Sequence, residues 1–311
     1  MTALPIKVYH EKPLQKELAF VSKSKVYVRS DLTDCDVIVH YALVRKPRET
    51  LDVIAELRGV CHAHKKKAIV FVLSDFEGSY PLCEHIILVR TSARKSLLRR
   101  NELILPYLWE GRDEEFMPNA DSFLPKVGFC GLVSRHRRKL IEVFRNSSEV
   151  RCDLILREKF WGGDPNNSGI VDQFFQNIHD NQYILSNRGA GNFSMRFYQA
   201  LSCGRIPVVV DTDMRLPFSD SIDWQSCIVF EKDETTCLRS VIARHAEAGT
   251  TFRMQEKCVQ IYRAYFAEEN YFGQLMADIR LKNLLDFSQV HRNKLREMAE
   301  DLLFRLFKKT L

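Results

Sequence analysis

The sequence predicts an α/β fold made of two doubly wound, parallel-sheet domains. Apolar segments of strand length alternate with helix-period segments in two successive series, and residues 111–125, between the series, are rich in proline and acidic side chains. Such alternation is typical of parallel sheets connected by crossover helices, and such a separator is typical of a linker. We therefore predict an N-terminal domain at 1–125, a C-terminal domain at 126–285 and a closing segment at 286–311, with the facing domain edges forming a cleft.

The first series begins with an apolar strand at 35–43 and a helix at 47–64, in which Leu51, Ile54 and Leu57 fall on one face. Further strands are predicted at 68–75, 85–92 and 102–110. Asp75 ends the strand at 68–75, so its carboxylate is expected at the carboxyl edge of the sheet, where such folds bind ligands.

The second series contains Gly131 and Arg135 in the turn after its first strand, so both are expected at the ligand-binding edge. A solvated helix start is the alternative for Arg135. The elements predicted for this series are strands at 126–131, 153–158, 183–186 and 227–230, helices at about 137–146 and 170–180, and a turn-rich loop at 161–169.

Residues 183–213 form the most informative unit: a short strand, a glycine-rich turn, a short helix, a tight turn and an apolar strand. Gly189 and Gly191 let the turn approach a ligand closely, and Asn192 or Ser194 is placed to cap the helix. The N–H groups at the helix start favour an anion such as a diphosphate. An ordinary crossover connection with a glycine turn is the alternative.

Three longer side chains strengthen this prediction. Arg196 falls in the first helical turn, where a guanidinium can hold a diphosphate through two hydrogen bonds. Gln199 lies three residues later on the same face, and Arg188 begins the glycine turn. The unit therefore predicts a site for a nucleotide or a nucleotide-sugar.

The same stretch resembles the signature of the exostosin-like glycosyltransferase family. The resemblance is dense over roughly forty residues, looser over 127–160, and only general over 1–125. The matching residues are Arg188, Gly189, Gly191, Ser194, Arg196, Phe197, Ala200, Leu201, Gly204, Ile206, Pro207, Val208, Leu216, Pro217, Phe218, Ile222, Asp223 and Trp224.

The resemblance implies a GT-B fold, in which two Rossmann-like domains face a cleft and the C-terminal domain holds the donor. It implies an inverting enzyme of polysaccharide biosynthesis that moves a hexosyl, pentosyl or uronosyl group from a UDP-linked or other nucleotide-sugar to a glycan or glycolipid acceptor. No cofactor or bound metal is implied. Arg196 would be catalytic, neutralising the departing diphosphate. The implied donor-binding residues are Gly131, Arg135, Arg188, Gly189, Gly191, Asn192, Ser194, Arg196, Gln199 and Asp211.

The chain departs from the family pattern at Gln199, where a glutamate usually stands. An amide can still form hydrogen bonds with the ribose hydroxyls, but its lack of charge predicts weaker binding of the nucleotide. This departure also supports an alternative function, a non-catalytic nucleotide-sugar-binding or scaffold protein that retains the fold. A nicotinamide-dependent dehydrogenase is excluded, because Ser194 occupies the place of the third glycine in the dinucleotide-binding motif.

Two carboxylates, Asp211 and Asp213, follow the apolar strand and allow three interpretations. They can be turn residues that cap the strand end, they can contact the sugar or the base, or they can hold a hard cation. For the general base that an inverting transfer needs, Asp75 is the first candidate. Its alternative is a side-chain turn at the start of the next loop.

Composition excludes several classes of protein. No apolar run is long enough to span a bilayer, and the N-terminus lacks the apolar stretch of a signal peptide, so we predict a cytoplasmic protein. The net charge of +6 suits an anionic ligand, and no RNA-binding aromatic signature accompanies it, so no nucleic-acid partner is predicted.

Nine cysteines without a CxxC pair indicate reduced, buried thiols and no structural zinc. The segment 286–311 is amphipathic, with Leu295, Met298 and Leu302 on one face. Two interpretations stand: a helix packed on the domains, or a basic helix in peripheral contact with a membrane.

Overall fold

Two compact α/β units make up the computed structural model. It describes residues 4–14, 16–43, 47–81, 83–107, 116–119, 122–164 and 167–286, together with 302, 303 and 306. Unit 1 contains the chain up to Pro106, residues 215–218, and the chain from Ala267 onward. Unit 2 contains residues 107–214 and 219–266. The polypeptide therefore returns twice to unit 1 after first leaving it.

Each unit is built on one parallel sheet. The strands are β1 (Ile6–Tyr9), β2 (Tyr27–Arg29), β3 (Val37–Leu43), β4 (Ala68–Leu73), β5 (Ile86–Arg90), β6 (Glu102–Ile104), β7 (Lys126–Leu132), β8 (Arg151–Arg157), β9 (Tyr183–Leu185), β10 (Ile206–Val210) and β11 (Val229–Glu231). The order is β2-β1-β3-β4-β5-β6 in unit 1 and β11-β10-β9-β7-β8 in unit 2. Both orders follow the doubly wound pattern in which the second strand pairs outside the first and the third pairs on its other side.

Helices connect these strands. They are α1 (Ala19–Ser22), α2 (Pro47–His64), α3 (Arg135–Arg145), α4 (Ser168–Asp180), α5 (Met195–Ser202), α6 (Glu234–Ala246), α7 (Thr250–Ile261) and α8 (Glu268–Leu281). A π-helical turn, Tyr262–Phe266, follows α7. None of the described helices is both long and apolar enough to cross a membrane.

The predicted fold class, two Rossmann-like doubly wound domains of the GT-B type, is confirmed by the two sheets. Helix α2 has the predicted bounds. The sequence did not predict β1 and β2 of unit 1. These strands are only four and three residues long, which is too short for their hydrophobic periodicity to be recognised. The strand predicted at 102–110 ends at Ile104 within the described residues.

The compact units differ from the predicted domain ranges at both ends of unit 2. Residues 107–125 group with unit 2, whereas α8 groups with unit 1. Most of the predicted linker 111–125 and nearly all of the segment 286–311 lie outside the described residues. All nine cysteines are free thiols, and eight of them are buried, as the sequence predicts.

The core of unit 1 explains why its central strands are continuously apolar. Every residue of β4 and β5 is buried, because both faces of the sheet are covered. Val70 and Val72 face the apolar stripe of α2, which includes Leu51 and Ile54. On the opposite face Phe71 packs edge-on against Phe20 of α1, which in turn contacts Tyr271 of α8.

A buried ion pair stands where β5 ends. Nη1 of Arg90 lies 3.3 Å from Oε2 of Glu102, and both side chains are almost fully inaccessible. Burial raises the pKa of Glu102, and the charge of Arg90 opposes that change. Arg90 also donates through Nε to Ser92 O and through Nη2 to Phe76 O, and it stacks over the ring of Tyr80. The pair therefore fixes the loops that follow β4 and β5.

We expect Glu102→Ala to lower the free energy of unfolding by about 3–5 kcal/mol, because it leaves the charge of Arg90 buried without its partner. Chemical denaturation followed by circular dichroism measures the change. The matched control is Arg94→Gln, which breaks the exposed Arg94–Glu77 pair of 3.0 Å and should cost at most about 1 kcal/mol. Equal losses in the two variants would contradict the structural importance assigned to Arg90.

Candidate anion-binding site

The candidate site lies at the carboxyl edge of the unit 2 sheet, between β7 and β9. These strands are neighbours in the sheet although β8 separates them along the chain. Connections that leave such neighbours run to opposite faces of the sheet, and the loops diverge to form a crevice. The loop 133–134 after β7 and the loop 186–194 after β9 therefore flank the position where doubly wound folds bind ligands.

Arg196, in the first turn of α5, bridges the ends of these two strands. Its Nη2 donates to Cys130 O at 2.6 Å, and its Nη1 donates to Leu185 O at 3.4 Å. The guanidinium lies 4.4 Å from the ring centroid of Phe129. The side chain is 6% exposed, and its Nε has no hydrogen-bond partner. Arg196 is thus enclosed under the strand ends in this structure.

The charge of Arg196 is electrostatically uncompensated. Burial lowers its pKa well below the ordinary value, and the nearby positive charges of Arg137 and Arg157 lower the pKa further, while Cys130 opposes them. None of the three arginines forms an ion pair with a carboxylate among the described residues. A buried cation of this kind destabilises the fold unless a negatively charged group offsets the cost of removing it from water. A bound anion above the loops would provide that charge.

Gly131 is the residue that leaves room for Arg196. Its φ of +146° lies outside the range that side-chain-bearing residues favour, and a Cβ atom would lie 2.5 Å from Nη2 of Arg196. Only glycine combines this backbone conformation with such close contact. The predicted importance of Gly131 therefore has a structural cause, which is the space needed by the guanidinium below it.

We expect Gly131→Ala to lower the free energy of unfolding by about 1–3 kcal/mol through backbone strain and displacement of Arg196. The matched control is Gly59→Ala in the middle of α2, where a Cβ atom meets nothing within 4 Å. That variant should gain about 0.5–1 kcal/mol, because alanine has the higher helix propensity. Urea denaturation of both variants measures the difference, and a harmless Gly131→Ala would refute the packing described here.

Arg137 lies at the candidate site, although the sequence predicted Arg135 and did not single out Arg137. It lies in the first turn of α3, with Nη1 donating to Leu132 O at 3.0 Å and Nε donating to Asn187 O at 3.3 Å. It therefore joins the loop after β7 to the loop after β9. Arg135 begins α3 and is exposed, as the solvated alternative for this residue expects. The pattern of three arginines in four residues does not reveal which one turns inward.

Ser194, one of the two residues predicted to cap α5, is its N-cap residue, yet its hydroxyl forms no capping hydrogen bond. The residue is 3% exposed, and its Oγ has no hydrogen-bond partner. The N-cap residue of α3, Ser134, also has a buried Oγ without a partner. Buried hydroxyls are normally satisfied, so two unsatisfied ones at neighbouring helix starts favour a ligand with acceptor atoms.

The glycine turn is closed by its own backbone and held by Asn192. Gly189 N donates to Phe193 O at 3.1 Å. Asn192 donates through Nδ2 to Thr212 O and accepts from the hydroxyl of Thr212 at 2.6 Å, which ties the turn to the loop after β10. Arg188 is buried and donates to Ala190 O at 2.7 Å. Asn192 thus positions the turn and does not cap α5.

The remaining predicted residues of unit 2 have distinct positions. Gly191 and Gln199 are buried, the former in the turn and the latter in α5. Oδ1 of Asp211 accepts hydrogen bonds from the N–H groups of Asp213 and Met214, so the turn interpretation describes this carboxylate. Asp213 adopts a left-handed conformation, with φ of 61°, within the same turn.

Helix α5 is held rigidly at its far end. Gly204, with φ of 65°, and Arg205 donate their N–H groups to Leu201 O and Ala200 O, and this pattern ends the helix as a Schellman motif. The buried guanidinium of Arg205 binds the carbonyls of His179 and Met117 at 3.0–3.3 Å. This anchoring fixes the helix whose first turn carries Ser194 and Arg196.

In unit 1, Asp75 follows β4 at the carboxyl edge of the sheet, as predicted, and is exposed. Its carboxylate makes no hydrogen bond with the described residues, whereas Ser74 Oγ accepts from Phe76 N and forms the local turn. The alternative of an aspartate-led turn is therefore not observed. The hydroxyl of Ser92 donates to Asp75 O at 3.3 Å and holds its backbone.

Over the part of the chain that the structure describes, no three His, Cys, Asp or Glu side chains are grouped as metal ligands would be. The loop 161–169 begins with a short 3-10 helix, Phe160–Gly163. Residues 165 and 166 of this loop, and the side chain of residue 161, lie outside the described atoms.

The fold and the site define a doubly wound α/β protein with an uncompensated cationic edge. Residues 130–242, which contain this edge, match the family model of the Exostosin GT47 domain. Exostosin-1c of Danio rerio is 29% identical over 119 residues, covering 38% of this chain and 16% of that protein. Exostosin-1 of Drosophila melanogaster is 24% identical over 143 residues, covering 44% and 19%. The chain thus spans less than a fifth of these relatives.

The chain is also similar to solved structures. HepE from Anabaena, in complex with UDP and glucose, superposes with a TM-score of 0.41 at 9% identity, covering 88% of this chain and 98% of that one. An O-GlcNAc transferase mutant from Thermobaculum terrenum gives 0.41 at 12% identity, covering 91% and 68%. These likenesses are distant, and the fold assignment rests on the sheets of this chain.

The resemblance stated from the sequence is therefore confirmed: residues 130–242 match the Exostosin GT47 domain, and the chain is similar to exostosins.

Proposed function

We propose that this protein is an inverting glycosyltransferase that moves a sugar from a UDP-linked donor to a glycan or glycolipid acceptor in polysaccharide biosynthesis. The observation that carries the proposal is the cluster of Arg196, Arg137 and Arg157 at the crevice of the GT47 domain, without a carboxylate partner among the described residues. Such a cluster requires an anion, and a nucleotide-sugar supplies a diphosphate with two negative charges.

The neutral hydrogen-bond donors of the site support the same ligand. The hydroxyls of Ser134 and Ser194 lie at the starts of α3 and α5, where the N–H groups of the first helical turns also favour anions. Phosphate oxygens accept several hydrogen bonds at once, and a diphosphate can use donors from both loops. In this proposal Gly189 and Gly191 keep the turn free of side chains where the donor lies.

The reaction is a direct displacement at the anomeric carbon of the donor sugar. The acceptor oxygen forms the new bond to this carbon as the bond to the diphosphate oxygen breaks, and the electron pair of that bond leaves with the diphosphate. The positive edge of unit 2 stabilises the developing charge of the leaving group. Asp75 is the proposed general base that takes the acceptor proton, because its carboxylate is exposed and unengaged in the described part of the chain.

The proposal includes transfer without a bound metal, because the arginines take the role that a divalent cation fills in other transferases. Turnover should therefore persist in the presence of a chelator.

The proposal also includes a cytoplasmic location with peripheral membrane contact through 286–311, which sedimentation with anionic vesicles would test.

We expect Asp75→Asn to lower kcat by about 10²–10⁴-fold with little change in donor affinity, because only proton removal is lost. Turnover of UDP-sugars with glycan acceptors, measured by release of UDP, checks this. The matched control is Asp34→Asn, since Asp34 is also exposed but precedes β3 at the opposite edge of the same sheet. A wild-type protein that binds UDP-sugars yet transfers none of them would instead support the non-catalytic alternative, to which Gln199 points.

A further inference from the structure

We propose that Arg137 is the residue whose guanidinium contacts the phosphates of the donor, through its Nη2 atom, and that Arg196 acts only as a positioning residue beneath them. This inference rests on the proposed function of the site. It assigns the direct anion contact to a residue that neither the sequence pattern nor the resemblance identified.

The hydrogen bonds of Arg137 leave one nitrogen available. Nε donates to Asn187 O, and Nη1 donates to Leu132 O, so the guanidinium is fixed across the crevice between the two loops. Nη2 has no hydrogen-bond partner among the described residues, and the side chain is half-buried. A donor held at two of its three nitrogens loses little conformational freedom when the third binds a ligand.

The position of Nη2 is beside the glycine turn. A Cβ atom built on Gly189 would lie 3.4 Å from Nη2. The absence of a side chain at Gly189 therefore leaves the face of the guanidinium open at the point where a phosphate would approach the turn. The buried, unsatisfied hydroxyl of Ser194 belongs to the same loop and is a second donor for that ligand.

The other arginines are less suited to this contact. Nη1 and Nη2 of Arg196 already bind the carbonyls of Leu185 and Cys130, and the residue is 94% buried beneath Gly131. Arg188 is buried and bonded to Ala190 O. Arg135 is exposed, and no hydrogen bond among the described residues fixes its side chain.

The first turn of α3 also carries an unusual charge. It contains no acidic residue, although acidic side chains are favoured at helix starts because the N–H groups there are partly positive. Arg137 and its neighbours instead add positive charge to this helix end. Burial lowers the pKa of Arg137.

The experiment is isothermal calorimetry of the whole chain with three probes: UDP, uridine and inorganic pyrophosphate. The variants are Arg137→Gln, Arg137→Lys and the matched control Arg138→Gln. Arg138 is exposed on the same helix, and its side chain makes no hydrogen bond or ion pair with the described residues. Uridine shares the base and ribose with UDP but lacks phosphates, so its affinity reports whether the pocket is still folded.

We expect Arg137→Gln to raise the Kd for UDP by at least about tenfold while the Kd for uridine stays unchanged, because one charge-assisted contact to phosphate is lost. Pyrophosphate binding should weaken by a similar factor. Arg137→Lys should be weakened less, since it keeps the charge but cannot bridge the two loops. Arg138→Gln should bind all three probes as the wild type does.

Unchanged UDP affinity in Arg137→Gln would overturn the assignment and leave the proposed function intact. An equal loss of uridine and UDP affinity would also overturn it, since a purely structural role predicts that result. If the wild type binds neither UDP nor pyrophosphate, the proposed function fails together with the inference. These outcomes separate the role of one arginine from the existence of the donor site.

Discussion

The structure of unit 2 depends on a positive charge buried under the ends of two parallel strands. The guanidinium of Arg196 holds the carbonyls of Cys130 and Leu185, the last or nearly last residues of β7 and β9. Carbonyls at strand ends have no further ladder partner and must be satisfied by other donors. Because Arg196 satisfies them from below, the loops above can direct their N–H groups and hydroxyls towards a ligand.

The rest of the site follows from this constraint. Gly131 is required because a side chain would collide with the guanidinium, and α5 must be anchored at Gly204 and Arg205 so that Arg196 stays in place. The buried charge also favours an anionic ligand, because no carboxylate among the described residues pairs with it to offset its cost of desolvation. A single arginine thereby connects the local backbone geometry to the class of ligand that the domain can bind.

The sequence was sufficient for much of the architecture, but not for the contacts that the candidate site residues make. Helix α2 and the central strands were predicted because their periodicity is long or their apolar runs are continuous. Arg137 was not singled out because neighbouring arginines on a helix differ only in which carbonyls they reach. One of the two carbonyls that Arg137 binds, Asn187 O, belongs to a loop 50 residues away in sequence. The sequence offered Asn192 or Ser194 as the cap of α5 and could not show that Ser194 is the N-cap residue with an unused hydroxyl, because that depends on tertiary contacts.

The two buried arginines at strand ends show how structure and function separate in this chain. Arg90 of unit 1 is inaccessible, binds the carbonyls of Ser92 and Phe76, and has Glu102 as its counter-ion. Arg196 of unit 2 is also buried and also binds carbonyls, yet it lies near two more arginines and forms no ion pair with a carboxylate among the described residues. A protein that needed Arg196 only to hold loops would be more stable with an acidic partner, as Arg90 has. The missing counter-ion is therefore best explained by a negative charge that arrives with the ligand.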